Sequence, residues 1–136
     1  MVVAGGPIQR PLAMMMRPIT KTVRPDDSLL VVAQQLRDAR VGAMLVADHG
    51  DYVGIVSEAD LVRKAMASGA ASDQVTVRSV MSAPLMTIDI AQSAHEASDV
   101  MAERGIRHLV ITDEGRVVGM ISVRDLLRYF KNWGTL

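Results

Sequence analysis

The chain repeats itself at an offset of 65 residues. "GIVSEAD", Gly54 to Asp60, returns as "GMISVRD", Gly119 to Asp125. Met16 falls on Met81, Thr22 on Thr87, Asp48 on Asp113 and Gly50 on Gly115. Ser57, Asp60, Leu61 and Arg63 fall on Ser122, Asp125, Leu126 and Arg128. Elsewhere apolar character is kept, as in Val23 with Ile88, Leu36 with Met101 and Val56 with Ile121. Only Pro18 and Pro84 need a one-residue shift. Such self-similarity means that one supersecondary unit is built twice. The copies are read as residues 14–66 and 79–131, joined by a linker over 67–78 that is small and polar from Ala67 to Gln74, with tails at 1–13 and 132–136.

Each copy has the same plan. A short extended piece ("TKTV", "LMTI") precedes a helix ("DDSLLVVAQQLRDAR", "AQSAHEASDVMAERG"). Asp27 and Ser93 are the N-cap candidates, and Gly105 suits a left-handed C-terminal cap. Leu29, Ala33 and Leu36 recur at helical spacing, as do Ala94, Ala97 and Met101. Two strands follow, joined by "DHGD" or "DEGR", whose glycine suits the positive backbone angle of a short hairpin turn. A second helix closes the unit ("EADLVRKAM", "VRDLLRYFK"). The fold class is therefore α+β, as tandem β-α-β-β-α units. About fifty residues bury little surface alone, so the units are expected to pack sheet to sheet with pseudo-twofold symmetry.

Fifteen basic residues balance fifteen acidic ones, without a long run of either sign. This argues against broad nucleic-acid binding, which needs a basic stripe. With no cysteine, disulfides and thiolate metal sites are excluded. His49 and His95 have no second histidine at ligand spacing, so no metal site is expected. No apolar run is long enough for a membrane span. The opening stretch lacks the features of a signal peptide, so the expectation is a cytoplasmic protein. Tyr129, Phe130 and Trp133 read as a packing anchor for the last helix. The methionines read as adaptable packing, and Arg37 with Arg40, and Arg63 with Lys64, as solvated helix faces.

The duplication, the two Gly-to-Asp signatures and "GIRHLVITDEGRVVGMIS" together resemble a CBS-domain pair, or Bateman module, of the standalone type. The resemblance covers residues 14–131. It implies a regulatory module, not an enzyme, that senses AMP, ADP or ATP in the cleft between repeats. No cofactor would be required. It also implies a homodimer formed through the closing helices. Their apolar positions are Leu61, Val62, Ala65 and Met66, with Leu126, Leu127 and Phe130. The regulated protein target is not written in the sequence.

Ser-x-x-Asp ahead of an apolar helical run has two readings. In one, Ser57 and Ser122 cap helices, and Asp60 and Asp125 complement the positive helix ends. In the other, the helix end and the hydroxyl serve a phosphate. The carboxylate then accepts from vicinal hydroxyls such as ribose 2′ and 3′. Gly54 and Gly119 mark either close backbone approach or tight helix-on-sheet packing. The resemblance makes these the two nucleotide sites. It adds the stretch before the first hairpin strand of each repeat: Gly42 and Ala43 in one, Arg107 and His108 in the other. Arg107 is either a phosphate ligand or a solvated, salt-bridged charge. His108 is either an assisting ligand or a half-buried structural histidine. The missing basic residue at Gly42 suggests unequal sites. Rival ligands are S-adenosylmethionine and dinucleotides, which share the ribose diol. The rival role is a ligand-free structural or dimerisation module. No nucleophile elbow, metal triad or acid–base pair points to catalysis.

Overall fold

The computed structural model of the chain describes residues 11–133. They divide into two compact units, residues 20–85, and residues 86–133 together with residues 11–19. In the first unit the order is β1 (Thr22–Val23), α2 (Leu29–Ala39), β2 (Ala43–Asp48) and β3 (Asp51–Ser57). The closing helix starts as α3 (Glu58–Asp60), continues as a π-turn over Leu61–Ala65 and ends as a 3-10 turn over Met66–Ser68. The second unit repeats the plan as β4 (Thr87–Asp89), α5 (Ala94–Arg104), β5 (His108–Asp113), β6 (Arg116–Ser122) and α6 (Val123–Trp133). Each sheet has three strands, in the orders β1-β2-β3 and β4-β5-β6. The first pairing in each is parallel and the second antiparallel. The α+β plan expected from the repeat is therefore present in both units.

The hairpins are tighter than the glycines alone suggest. His49 and Gly50 both have positive φ, as do Glu114 and Gly115. Two successive residues in that region make the primed two-residue turn, whose twist matches that of the flanking strands. Ser28 caps α2, accepting from the Val31 amide, whereas Asp27 accepts from the Arg24 amide ahead of the helix. The buried stripe of α2 is Leu29, Val32 and Leu36, with Ala33 exposed. Ser93 caps α5 in a reciprocal box with Glu96, and Gly105 closes it at φ 65°. Ala94, Ala97 and Met101 form its buried face.

Two further helices begin in segments that the sequence suggested were tail and linker, and run on into the repeats. Residues 1–10 of the expected tail lie outside the described residues, but Pro11–Met15 form helix α1 and Leu12 is fully buried. Val77–Val80 form α4, with both valines buried. Leu12 and Val77 are 65 positions apart, so each repeat has an equivalent lead-in helix.

These lead-ins cross. Leu12 belongs to the core of the second repeat, with Leu109, Ile111, Ile121 and Phe130. Val77 and Val80 belong to the core of the first, with Val23, Val32, Val46 and Val56. Beyond α1, Arg17 exchanges both backbone hydrogen bonds with Met120 of β6, at 2.9 and 3.0 Å. Beyond α4, Ser82 does the same with Ile55 of β3, at 2.8 and 3.0 Å. Gly54 and Gly119 make this approach possible. A Cβ on Gly119 would lie 2.8 Å from the Arg17 carbonyl oxygen, and one on Gly54 2.9 Å from that of Ser82. The close-approach reading of the two glycines therefore holds, and what approaches is the lead-in backbone.

Candidate functional site

In each repeat the end of one hairpin strand, the start of its partner and the closing helix meet at one corner. Strand register sets Ala43 opposite Ser57 and His108 opposite Ser122. The Glu58 amide donates to the Gly42 carbonyl, and the Val123 amide to that of Arg107, both at 2.9 Å. Thus Gly42, Ala43, Ser57 and Asp60 form one corner, and Arg107, His108, Ser122 and Asp125 form the other. Arg107 is exposed, and His108 is half-buried.

Both aspartates are buried, at 7% exposure for Asp60 and 5% for Asp125. One carboxylate oxygen of each closes a capping box. Asp60 Oδ2 accepts from the Ser57 amide at 3.0 Å and its hydroxyl at 3.1 Å. Asp125 Oδ2 accepts from the Ser122 amide at 2.8 Å and its hydroxyl at 3.0 Å. The serine oxygens in turn accept from the Asp60 and Asp125 amides. The helix-capping reading is thus realised at both corners, and it leaves the second carboxylate oxygen to other partners.

Those partners differ. Asp60 Oδ1 faces Lys64 Nζ at 2.9 Å and accepts from the Ser82 hydroxyl at 3.4 Å. The same ammonium donates to the Val80 carbonyl at 3.0 Å and to the Ser82 hydroxyl at 3.3 Å. Among the described residues, Asp125 Oδ1 meets only the Arg17 guanidinium, whose Nε and Nη2 both stand 3.5 Å away. Ser82 and Arg17 are equivalent positions, as are Lys64 and Tyr129. The crossed lead-in therefore reaches the carboxylate in both repeats, as a hydroxyl in one and a guanidinium in the other. Lys64, read as a solvated charge, is instead tied to the corner. The Asp60-to-Lys64 spacing of four on a helix was the available signal. Arg17 carried none, because its partner lies 108 positions away.

The family model described as "CBS domain" matches residues 12–67 and 77–132. The chain belongs to the CBS-domain proteins. Both matches begin at the lead-in helices, at Leu12 and Val77. CBS domain-containing protein YhcV of Bacillus subtilis (strain 168) is 31% identical over 105 residues, which cover 77% of this chain and 74% of that protein. An uncharacterized protein of Methanopyrus kandleri is 30% identical over 109 residues, covering 79% of this chain but 56% of its own length. The solved CBS-domain protein ATU1752 from Agrobacterium tumefaciens shares 29% identity at a TM-score of 0.80, with 88% of this chain and 90% of that one covered. Hypoxic Response Protein I, solved with two coordinated zinc ions, shares the CBS fold at 24% identity and a TM-score of 0.72. Among the described residues of this CBS pair, no three His, Cys, Asp or Glu side chains are grouped to hold a metal. No described helix is long and apolar enough to cross a membrane. A tandem CBS pair is a regulatory, signal-transduction type of module.

Proposed function

We propose that this CBS pair senses an adenosine nucleotide, AMP, ADP or ATP, through the corner at Asp125. The carrying observation is the second oxygen of that buried carboxylate, whose contacts among the described residues are both 3.5 Å long. A carboxylate offers about four acceptor positions, so one oxygen can keep the capping box while the other takes vicinal ribose hydroxyls. Arg107, exposed beside this corner, is a bidentate donor suited to phosphate. Regulation then follows from unequal affinity for two states of the protein. S-adenosylmethionine and dinucleotides, which carry the same diol, are the competing ligands.

Thermal unfolding with added nucleotide tests this. At about a hundred times the dissociation constant a ligand adds roughly 2.7 kcal/mol, a rise of several degrees. Asp125→Asn keeps an oxygen for the Ser122 amide but loses the charge, and is expected to abolish the rise while remaining folded. An undiminished rise in that variant would remove Asp125 from the site. No rise with any of the three nucleotides would leave the ligand-free assembly module as the better reading.

Assembly has its own support. Met101, Ala102, Val123, Leu127 and Phe130 line a groove of about 400 Å³ on the α5–α6 face. Leu127 is 58% exposed. Phe130 is buried, in ring contact with His95 and Tyr129, while Trp133 is exposed. We propose that this face carries the homodimer. A cyanobacterial CBS-CP12 protein of the same fold is hexameric, so CBS folds do assemble. Leu127→Asp is expected to halve the mass seen by light scattering; an unchanged mass places the contact elsewhere.

A further inference from the structure

Lys64 stands against the Asp60 carboxylate, at 2.9 Å from Oδ1. All four acceptor positions of the Asp60 carboxylate are occupied from within the chain. Ser57 supplies two donors to Oδ2, and Lys64 and Ser82 supply the donors to Oδ1. The ammonium is itself held by the Val80 carbonyl and the Ser82 hydroxyl. A diol entering here would replace a charged donor at 2.9 Å with neutral hydroxyls. Charge-assisted hydrogen bonds are roughly twice as strong as neutral ones, so the exchange is unfavourable. At Asp125 the comparison reverses. The guanidinium contacts are 3.5 Å, well beyond the roughly 2.7–2.9 Å of a strong charge-assisted bond. Among the described residues, a diol there displaces no short contact.

We propose that Lys64 closes the Asp60 corner, so that the chain holds one nucleotide, at Asp125, despite carrying the signature twice. This rests on the nucleotide reading of Asp125. The sequence cause is a pair of substitutions between repeats. Lysine stands where the second copy has Tyr129, and serine where the first lead-in has Arg17.

Isothermal titration of the full chain with AMP, repeated with ATP, reads the number of sites. The wild type is expected to bind one equivalent per chain. Lys64→Met is expected to bind two, and Lys64→Met with Asp125→Asn to return to one. Lys64 is 46% exposed, so its replacement leaves no cavity, and Lys64→Gln serves as a second variant. Circular dichroism confirms that each is folded. Two equivalents in the wild type would overturn the closure while leaving the nucleotide reading intact. One equivalent in both folded Lys64 variants would overturn it equally. No heat and no competition with either nucleotide in any variant would remove the nucleotide reading, and the closure with it.

Discussion

Replacing Leu12 with alanine is expected to destabilise the chain by about 2–5 kcal/mol, the range for truncating a fully buried leucine. The five-residue helix that carries it could not persist alone, because so short a segment does not repay helix nucleation. It is held by the second repeat's core, where Leu12 has no exposed surface and packs with the cluster of Leu109, Ile111 and Phe130. The urea midpoint measures the loss, with the denaturant slope unchanged. Met14, on the same helix and 54% exposed, is the control. Met14→Ala is expected to fall within about 0.5 kcal/mol of wild type, as surface substitutions do. Equal midpoints for the Leu12 and Met14 variants would mean that α1 is not docked on this core.

Gly119→Val and Gly54→Val should each cost about 1–3 kcal/mol, the range for forcing atoms into a well-packed interior. Strand propensity alone predicts the opposite sign, because valine favours a β-strand and glycine does not. The clash decides. At Gly119 a Cβ would meet the Met16 sulfur, which can swing away. It would also meet the Arg17 carbonyl oxygen, which cannot move without breaking the paired backbone bonds to Met120. At Gly54 the same role falls to the Ser82 carbonyl oxygen, bonded to Ile55. A neutral or stabilising valine at either position, by urea midpoint, would show that the lead-in is not seated against the strand.

Most of the fold was readable because the 65-residue offset lets each copy check the other. The hairpin of the first repeat and that of the second share turn residues, and Ser93 and Gly105 have cap chemistry that works locally. The misplacement on α2 also has a local cause. Leu29 with Ala33, and Leu29 with Val32, both satisfy helical spacing, and burial selects the larger side chain. The lead-in helices were not readable, since four or five residues show no period. Their stabilising partners sit on a sheet far away in sequence. At the candidate site, the two Ser-x-x-Asp capping boxes were legible from spacing, and the strand register sets Ser57 and Ser122 opposite Ala43 and His108. Arg17 at Asp125 and Ser82 at Asp60 were not legible, because both arrive on the crossed lead-ins; Lys64 at Asp60 had its signal in the spacing of four.

Because each lead-in completes the other repeat's core, the boundary of the duplicated unit and the boundary of the packed unit are different lines. Excising one copy at its repeat limits would strip a covering segment from its sheet and leave it carrying another's. A circular permutant opened just ahead of Thr20, with the former ends joined by a tether, would instead run each packed unit as one unbroken stretch of chain.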